Sequence, residues 1–374
     1  MGPVGIYVHF AFCRRKCHYC DFNSRVGSPE DKAVYIDALL AEIGRLPALV
    51  AQTVYFGGGT PTIHSPADLK RVLDALTARL SLCDDAEVTV EANPGTVDKQ
   101  GLQMLREAGF NRLSLGVQSL RDGELRMLGR IHDSRQAVEA FQMARQGGFD
   151  NVSVDLIRGL PGQKLQHWQH SVQGVIDLAP EHVSAYGLSV EQGTPLQDRI
   201  DRGLLPCPGG DDDPEWIRWT VLRLQQAGLQ RYEISNYARP GRESVHNTNY
   251  WQDGEYVGVG AGAWSFLDGE RRRNVADPAL YSKRSIEGGR LTTEAERLDA
   301  DEAVGEAIML GLRMVRGISY DTLRRRFGVD VRRRYRETIR KLIAAELVVD
   351  DHRQLRLTFE GMLVQNAVAV HFLA

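Results

Sequence analysis

The chain has 374 residues, 43% of them hydrophobic and 25% charged, with a formal net charge of -3. These are ordinary globular values, and the length suits one large domain with a smaller one. The near-neutral balance gives no global electrostatic case for nucleic acid, no apolar run reaches membrane-spanning length, and the start MGPVGIYVHF lacks the basic segment and long apolar stretch of a signal peptide.

The first strand is expected at 6–12, and the run FCRRKCHYCDF follows it. Cys13, Cys17 and Cys20 stand there at C-x3-C-x2-C spacing, three of the five cysteines in the chain. The group is too tight, and odd in number, for a disulfide frame. It suits three thiolates around one inorganic centre, a 4Fe–4S cluster with one iron left without a protein ligand. Zinc is the rival. It wants four ligands, and His18 offers a fourth, but a position between two of the cysteines makes closure awkward. Iron–sulfur is the favoured reading. Arg14, Arg15 and Lys16 are expected to lower the thiol pKa values. Cys83 and Cys207 stand apart and read as incidental thiols. Few cysteines with a thiolate motif point to a reducing, cytoplasmic setting, with peripheral membrane contact still open.

Strands and helices then alternate. A helix over 31–45 leads to a strand at 53–59 that ends in Gly57-Gly58-Gly59-Thr60. A helix over 65–79 opens on Ser65 as N-cap, and the strand 87–94 carries Glu91 and Asn93 at its end. A helix over 98–108 precedes the strand 112–118, which ends on Gln118. Helices over 122–128 and 134–146 follow, the second opening on Ser134 as N-cap. The strand 151–159 bears Asp155 and Arg158, and a helix over 165–177 leads to a sixth strand at 182–190. Such alternation implies parallel βα units, either a doubly wound sheet or a partial barrel. No pyrophosphate-binding glycine fingerprint follows the first strand, which disfavours the former. Polar or unusual residues end five successive strands, as they do around the shared cavity of an α/β barrel.

After about residue 195 the pattern changes. LPCPGGDDDP (205–214) reads as a loop and 215–227 as a helix. An aromatic and glycine-rich section containing HNTNYW follows. From about residue 299, helices and short strands near 347–349 and 355–357 outline a winged-helix-like module. The expected division is 1–235 for the core, 236–298 for the aromatic extension and 299–374 for the C-terminal module. Arginines cluster at 271–273, 324–326 and 332–334, which invites a DNA reading, but a solvated helix face is the commoner meaning. No nucleic-acid partner is expected.

CRRKCHYC, with Tyr19 before the third cysteine, resembles the signature of radical S-adenosylmethionine proteins, and GGGTP (57–61) looks like their glycine motif. In that family the open iron binds the amino and carboxylate groups of S-adenosylmethionine. YVHFAFCRRKCHYCDFNS, EANPGTV, RLSLGVQSL, LGRIH, VDLIRGLPGQ and HNTNYW together resemble the oxygen-independent coproporphyrinogen III oxidase family, which includes the heme chaperone branch HemW. The resemblance implies an α/β fold, a partial (β/α)6 barrel with a small winged-helix-like α+β C-terminal domain. It implies cluster ligands Cys13, Cys17 and Cys20. It implies S-adenosylmethionine contacts at Tyr7, Gly58, Gly59, Thr60, Glu91, Gln118, Arg130, Asp155 and Ser189. For heme it implies His246, Asn247, Tyr250 and Trp251.

Two departures separate the branches. The oxidase has a fourth cysteine two residues after the third, where this chain has Phe22. The oxidase also has a longer N-terminal segment than the few residues that precede the first strand here. Both point to the chaperone branch, which would bind heme and pass it to an acceptor apoprotein, as a monomer or weak dimer, without oxidase activity. The alternative is the oxidase itself, decarboxylating two propionates of coproporphyrinogen III. Ala11, Gln192 and Trp264 depart from the branch pattern, the last removing a histidine that is frequent there.

Overall fold

A computed structural model describes residues 2–208 and 214–373; the predicted loop at 205–214 therefore falls partly outside them. Six parallel strands form the centre: β1 (Val4–Phe10), β2 (Val50–Gly58), β3 (Ser81–Ala92), β4 (Arg112–Gln118), β5 (Val152–Arg158) and β6 (His182–Gly187). They lie side by side in chain order, every neighbouring pair parallel. A doubly wound sheet reverses its order part-way. This run does not, so it curls into a partial barrel.

Helices α1 (Pro29–Ile43), α2 (Pro66–Arg79), α3 (Lys99–Glu107), α4 (Asp122–Leu128), α5 (Ser134–Gln146) and α6 (Leu165–Asp177) make the crossovers. Their starts follow from capping chemistry. Ser28 and Ser65 cap α1 and α2, each followed by a proline whose missing N–H is no loss at N1. At α5 the cap is Asp133 rather than Ser134: its carboxylate accepts from the Gln136 N–H at 2.8 Å, and Gln136 reaches back to the Asp133 N–H. β3 starts six residues before the expected 87, because Ser81 and Leu82 pair with Val50 and Ala51.

The sheet runs on past both ends of the six. Beyond β6 lie two short antiparallel strands, Asn236–Ala238 and Gln230–Arg231. Beyond β1 the chain returns from far away: Tyr256–Val259 pairs parallel to β1, with Gly5 opposite Tyr256. Trp264–Leu267, Glu270–Asn274 and Thr292–Arg297 extend that side antiparallel. Among the described residues, the result is one open sheet of 12 strands. The buried Glu42 of α1 holds the extension in place, accepting from the Gly260 N–H, Asn274 and the Tyr281 hydroxyl at 2.6–2.8 Å.

The C-terminal module has its own apolar cluster, including Val304, Ile308, Leu323, Ile339 and Leu355. Its three-stranded sheet orders Ile318–Ser319, Gln354–Leu357 and Val348–Asp350. The clustered arginines have local acidic partners: Arg271 with Glu306, Arg273 with Glu294, Arg324 with Asp330, Arg332 with Asp350 and Arg334 with Asp301.

Candidate functional site

A cavity of about 400 Å³ opens at the C-terminal ends of β1–β6. The residues of β4 and β6 that border it follow the two-residue period of a strand. From β4 they are Arg112, Ser114, Gly116 and Gln118, and from β6, Ser184 and Tyr186; β3 and the turn after it add Glu91 and Asn93. Gln118 has φ 71°, a left-handed conformation uncommon outside glycine, at the point where β4 ends on the cavity.

All three motif cysteines line the cavity, and all are free thiols. Each sulfur receives one hydrogen-bond donor from a different source. The Thr60 hydroxyl donates to Cys13 at 3.5 Å, and Arg130 donates to Cys17 at 3.3 Å. The Phe22 N–H donates to Cys20. Asn93 joins the first two, donating to Thr60 at 2.9 Å and accepting from Arg130. Donors aimed at sulfur suit thiolates bound to a metal cluster. The basic neighbours act less directly than expected. Burial pushes the Cys20 thiol up, with Lys16 pulling weakly the other way. Lys16 donates to the Phe22 carbonyl and Arg14 to that of Gly95. His18 does not join the cysteines at the cavity: its Nδ1 bonds the Met127 carbonyl at 2.9 Å, and its ring lies against Gly129.

The glycine run serves a contact within the protein. Gly59 donates to the Phe10 carbonyl at 2.6 Å, and Thr60 donates to that of Phe12 at 2.9 Å. A Cβ on Gly59 would stand 2.5 Å from the Phe12 oxygen, and Gly58 has φ 101° with His9 in the same place. The run thus locks the end of β2 under the start of the cysteine loop.

Glu91 accepts from the Tyr55 hydroxyl at 2.7 Å and from the Gly58 N–H at 3.2 Å. Burial raises its carboxyl to about 7, against the Tyr55 hydrogen bond, which lowers it. Asp155 is also raised by burial, with Ser184 and Ser114 hydroxyls opposing. Ser189 lies at the rim, donating to Glu191. Gly58, Gly59, Thr60, Glu91, Gln118, Arg130, Asp155 and Ser189 therefore meet around one space with the cysteines. Tyr7 does not line it. Its hydroxyl pairs with His9 Nδ1 at 3.1 Å, and its ring stacks beside Tyr55, which faces the cavity.

The HNTNYW segment forms the short helix Val245–Trp251. Glu87 of β3 receives the Val245 and His246 N–H groups at 3.1 and 3.0 Å, which fixes the helix on the sheet. Of the four expected heme residues only Asn247 borders the cavity. His246 is 1% exposed, its Nδ1 on the Thr53 hydroxyl at 2.7 Å and its Nε2 on the Tyr250 hydroxyl at 2.9 Å. Its ring stacks on Tyr55 at 4.9 Å, and burial lowers its pKa to about 3. An open axial ligand needs a free ring nitrogen, and His246 has none in this arrangement. Tyr250 meets Tyr256 edge-on, and Trp251 packs under Arg313 at 4.3 Å.

Asn93, expected at the end of its strand, borders the cavity, whereas Tyr55, Arg112 and Tyr186 went unnoticed as cavity residues in the sequence. Arg112 is 2% exposed, its Nε without a hydrogen bond and 3.9 Å from Glu87. Two-residue stepping back from Gln118 along β4 would have found it.

Known proteins supply the remaining comparison. Residues 7–174 match the radical SAM superfamily and residues 298–364 the HemN C-terminal domain. The heme chaperone HemW of Bacillus subtilis is 35% identical, covering 98% of both chains. The chain belongs to the HemW branch of the HemN family. HemW of Mycobacterium tuberculosis is 36% identical over 98% of this chain and 94% of its own. Similar in sequence too is radical S-adenosyl methionine domain-containing protein 1, mitochondrial, of Bos taurus, at 35% over 99% of this chain and 87% of its own. The fold matches coproporphyrinogen III oxidase (HemN) of Escherichia coli with a TM-score of 0.86 at 24% identity, covering 99% of this chain and 90% of that one. Membership of the radical SAM superfamily implies a 4Fe–4S cluster and S-adenosylmethionine, and the three donor-supported sulfurs beside a polar cavity fit both. Among the described residues, no helix is long and apolar enough to cross a membrane.

Proposed function

We propose that this protein is a heme chaperone that binds heme and passes it to an acceptor apoprotein in the cytoplasm. The full-length similarity to HemW relatives carries the reading. Phe22 supports it: where the oxidase has a fourth cysteine, this chain has a side chain 60% exposed at the cavity wall.

Cys13, Cys17 and Cys20 would hold the cluster, which when bound supplies a single electron at the cavity wall. Glu91 and Asp155 offer carboxylates to the ammonium group of S-adenosylmethionine, and Arg130 offers a cation to its carboxylate. Gln118, Ser189, Thr60 and the Gly58–Gly59 backbone border the same space and would fix its orientation. Tyr7 would act through Tyr55, and His246, Tyr250 and Trp251 would support the cavity wall from behind. Asn247 is the member of that segment placed to touch a bound group directly.

Anaerobic reconstitution followed by heme titration tests the reading. A Soret shift that saturates, then moves to an added apocytochrome, is the expected outcome. Formation of protoporphyrinogen from coproporphyrinogen III without heme binding would establish the oxidase instead.

A further inference from the structure

Arg112 reaches the floor of the cavity with its hydrogen-bonding capacity unfilled. It is 2% exposed, and its Nε is buried without a hydrogen bond. Its ion-pair partner is Glu87 at 3.9 Å, which balances its charge but stands too far for a hydrogen bond. The Glu87 oxygens are taken by other donors: the Ser244 hydroxyl at 3.4 Å and the Val245 and His246 N–H groups at 3.1 and 3.0 Å. Two imidazoles feel the charge of Arg112, but neither has a free nitrogen. His246 is held by Thr53 and Tyr250, and His182 by Ser153 at 2.8 Å and Tyr232 at 2.9 Å. A buried donor without an acceptor is costly, and one that borders a cavity calls for an acceptor on the guest.

Asn247 borders the same cavity from the Val245–Trp251 helix. Its backbone N–H donates to the Ser244 hydroxyl at 3.3 Å, and its side-chain amide has no hydrogen-bond partner among the described residues. It enters at the depth of Arg112. Glu87 holds the helix from one inward step before Thr89, and Thr89 is the register partner of Arg112.

Depth decides which part of a ligand meets these two residues. Glu91 stands opposite Ser114 in register and Asp155 opposite Gly116, whose carbonyl accepts from Arg130. The groups assigned above to the amino-acid end of S-adenosylmethionine thus lie one and two inward steps nearer the strand ends than Arg112. Each step is about 7 Å. A ligand anchored there meets Arg112 and Asn247 with its other half, the nucleoside. The chemistry agrees. A further carboxylate at this depth would meet Glu87 as a like charge. Adenine ring nitrogens and ribose oxygens are neutral acceptors, which suit a guanidinium whose charge is already balanced. An asparagine amide pairs donor with acceptor, matching the amine and ring nitrogen on one edge of adenine.

We infer that Arg112 and Asn247 hold the nucleoside end of S-adenosylmethionine, the guanidinium donating to its neutral acceptors and the amide pairing with the adenine edge. The inference rests on the reading that this cavity binds S-adenosylmethionine, and it adds where the nucleoside lies. Glu87 positions both contacts, the helix through its N–H groups and the guanidinium through its charge.

The test uses the full chain with its cluster reconstituted anaerobically. Calorimetry follows S-adenosylmethionine and, separately, 5′-methylthioadenosine, which keeps the nucleoside and lacks the amino acid. The wild type should bind both. Arg112→Gln should weaken each about tenfold and Asn247→Ala each about fivefold. Unchanged affinities in both variants overturn the inference while leaving the cofactor reading standing. So does a loss confined to S-adenosylmethionine, which would put Arg112 at the amino-acid end, and so does a wild type that binds S-adenosylmethionine but not the nucleoside. A wild type that binds neither overturns the cofactor reading as well. Asn247→Ala removes an amide that bonds to nothing in the fold, so a failure of Arg112→Gln to fold leaves the test in place.

Discussion

The Glu91 carboxyl, raised by burial from 4.5 to about 7, keeps its proton in many folded molecules near neutrality. Between those two values the folded chain binds more protons than the unfolded one, so stability falls as pH rises. The loss amounts to about 3 kcal/mol once both forms are ionised. Glu91→Gln keeps the shape and removes the titration. Urea denaturation at pH 5 and pH 8 should show the wild type losing about 3 kcal/mol relative to this variant. Parallel losses would show that the carboxyl titrates normally. His246 has the opposite sign. Held neutral with a pKa of about 3 against an ordinary 6.5, it stabilises the fold above that ordinary value and loses its contribution as pH falls. His246→Ala removes two buried hydrogen bonds and a stacked ring, at a cost of about 2–4 kcal/mol at pH 7.5. That penalty should shrink by about 2 kcal/mol at pH 5, where the wild type has lost the proton-linked part. A penalty independent of pH would mean that the imidazole is not held neutral.

The cysteine loop owes its position to the element beneath it. Gly59 approaches two backbone carbonyls, one at the end of β1 and one at the start of that loop, and neither can swing aside as a side-chain tip would. Gly59→Ala is expected to cost about 1–3 kcal/mol and to lower the iron and sulfide retained after reconstitution. Gly123→Ala, in α4 with nothing within 4 Å of the added carbon, is the matched control and should stabilise slightly. Iron content unchanged in Gly59→Ala would detach the glycine run from the cluster site. Elements with local signals could be read from the sequence: capped helices, apolar strands and three clustered thiols. The cap at Asp133 was misplaced by one residue because Ser and Asp are equally good caps in isolation. The start of β3 was hidden because SLCDDA has no alternating pattern, and pairing with Val50 and Ala51 makes it a strand. Arg112 sat in plain view on the inward face of β4, but a charged residue at the start of a strand reads as exposed until the cavity is known. His246 could not be resolved at all, since the sequence does not show that Thr53 and Tyr250 occupy its nitrogens.

At the scale of the whole molecule, the barrel stays open, and an open sheet must protect its edges. The return of Tyr256–Val259 to β1 covers one side of the six-strand run, a pairing too distant in sequence to leave a local sign. It moves the exposed edge out to Thr292–Arg297, whose sequence TTEAER is charged rather than apolar. Glu294 and Glu296 stand opposite Arg273 and Arg271 in register, and the Glu294–Arg273 pair closes at 3.0 Å. Cross-strand pairs of this kind each contribute about 0.2–1 kcal/mol, so their greater effect is to keep a second chain from adding to the edge. The double substitution Glu294→Val and Glu296→Val raises the strand propensity and removes the charge together. Sedimentation velocity across a concentration series should then show association beyond that of the unsubstituted chain. Far-UV circular dichroism should meanwhile show the protomer still folded. An unchanged sedimentation profile would mean that backbone geometry at this edge, rather than its glutamates, keeps the sheet from extending between molecules.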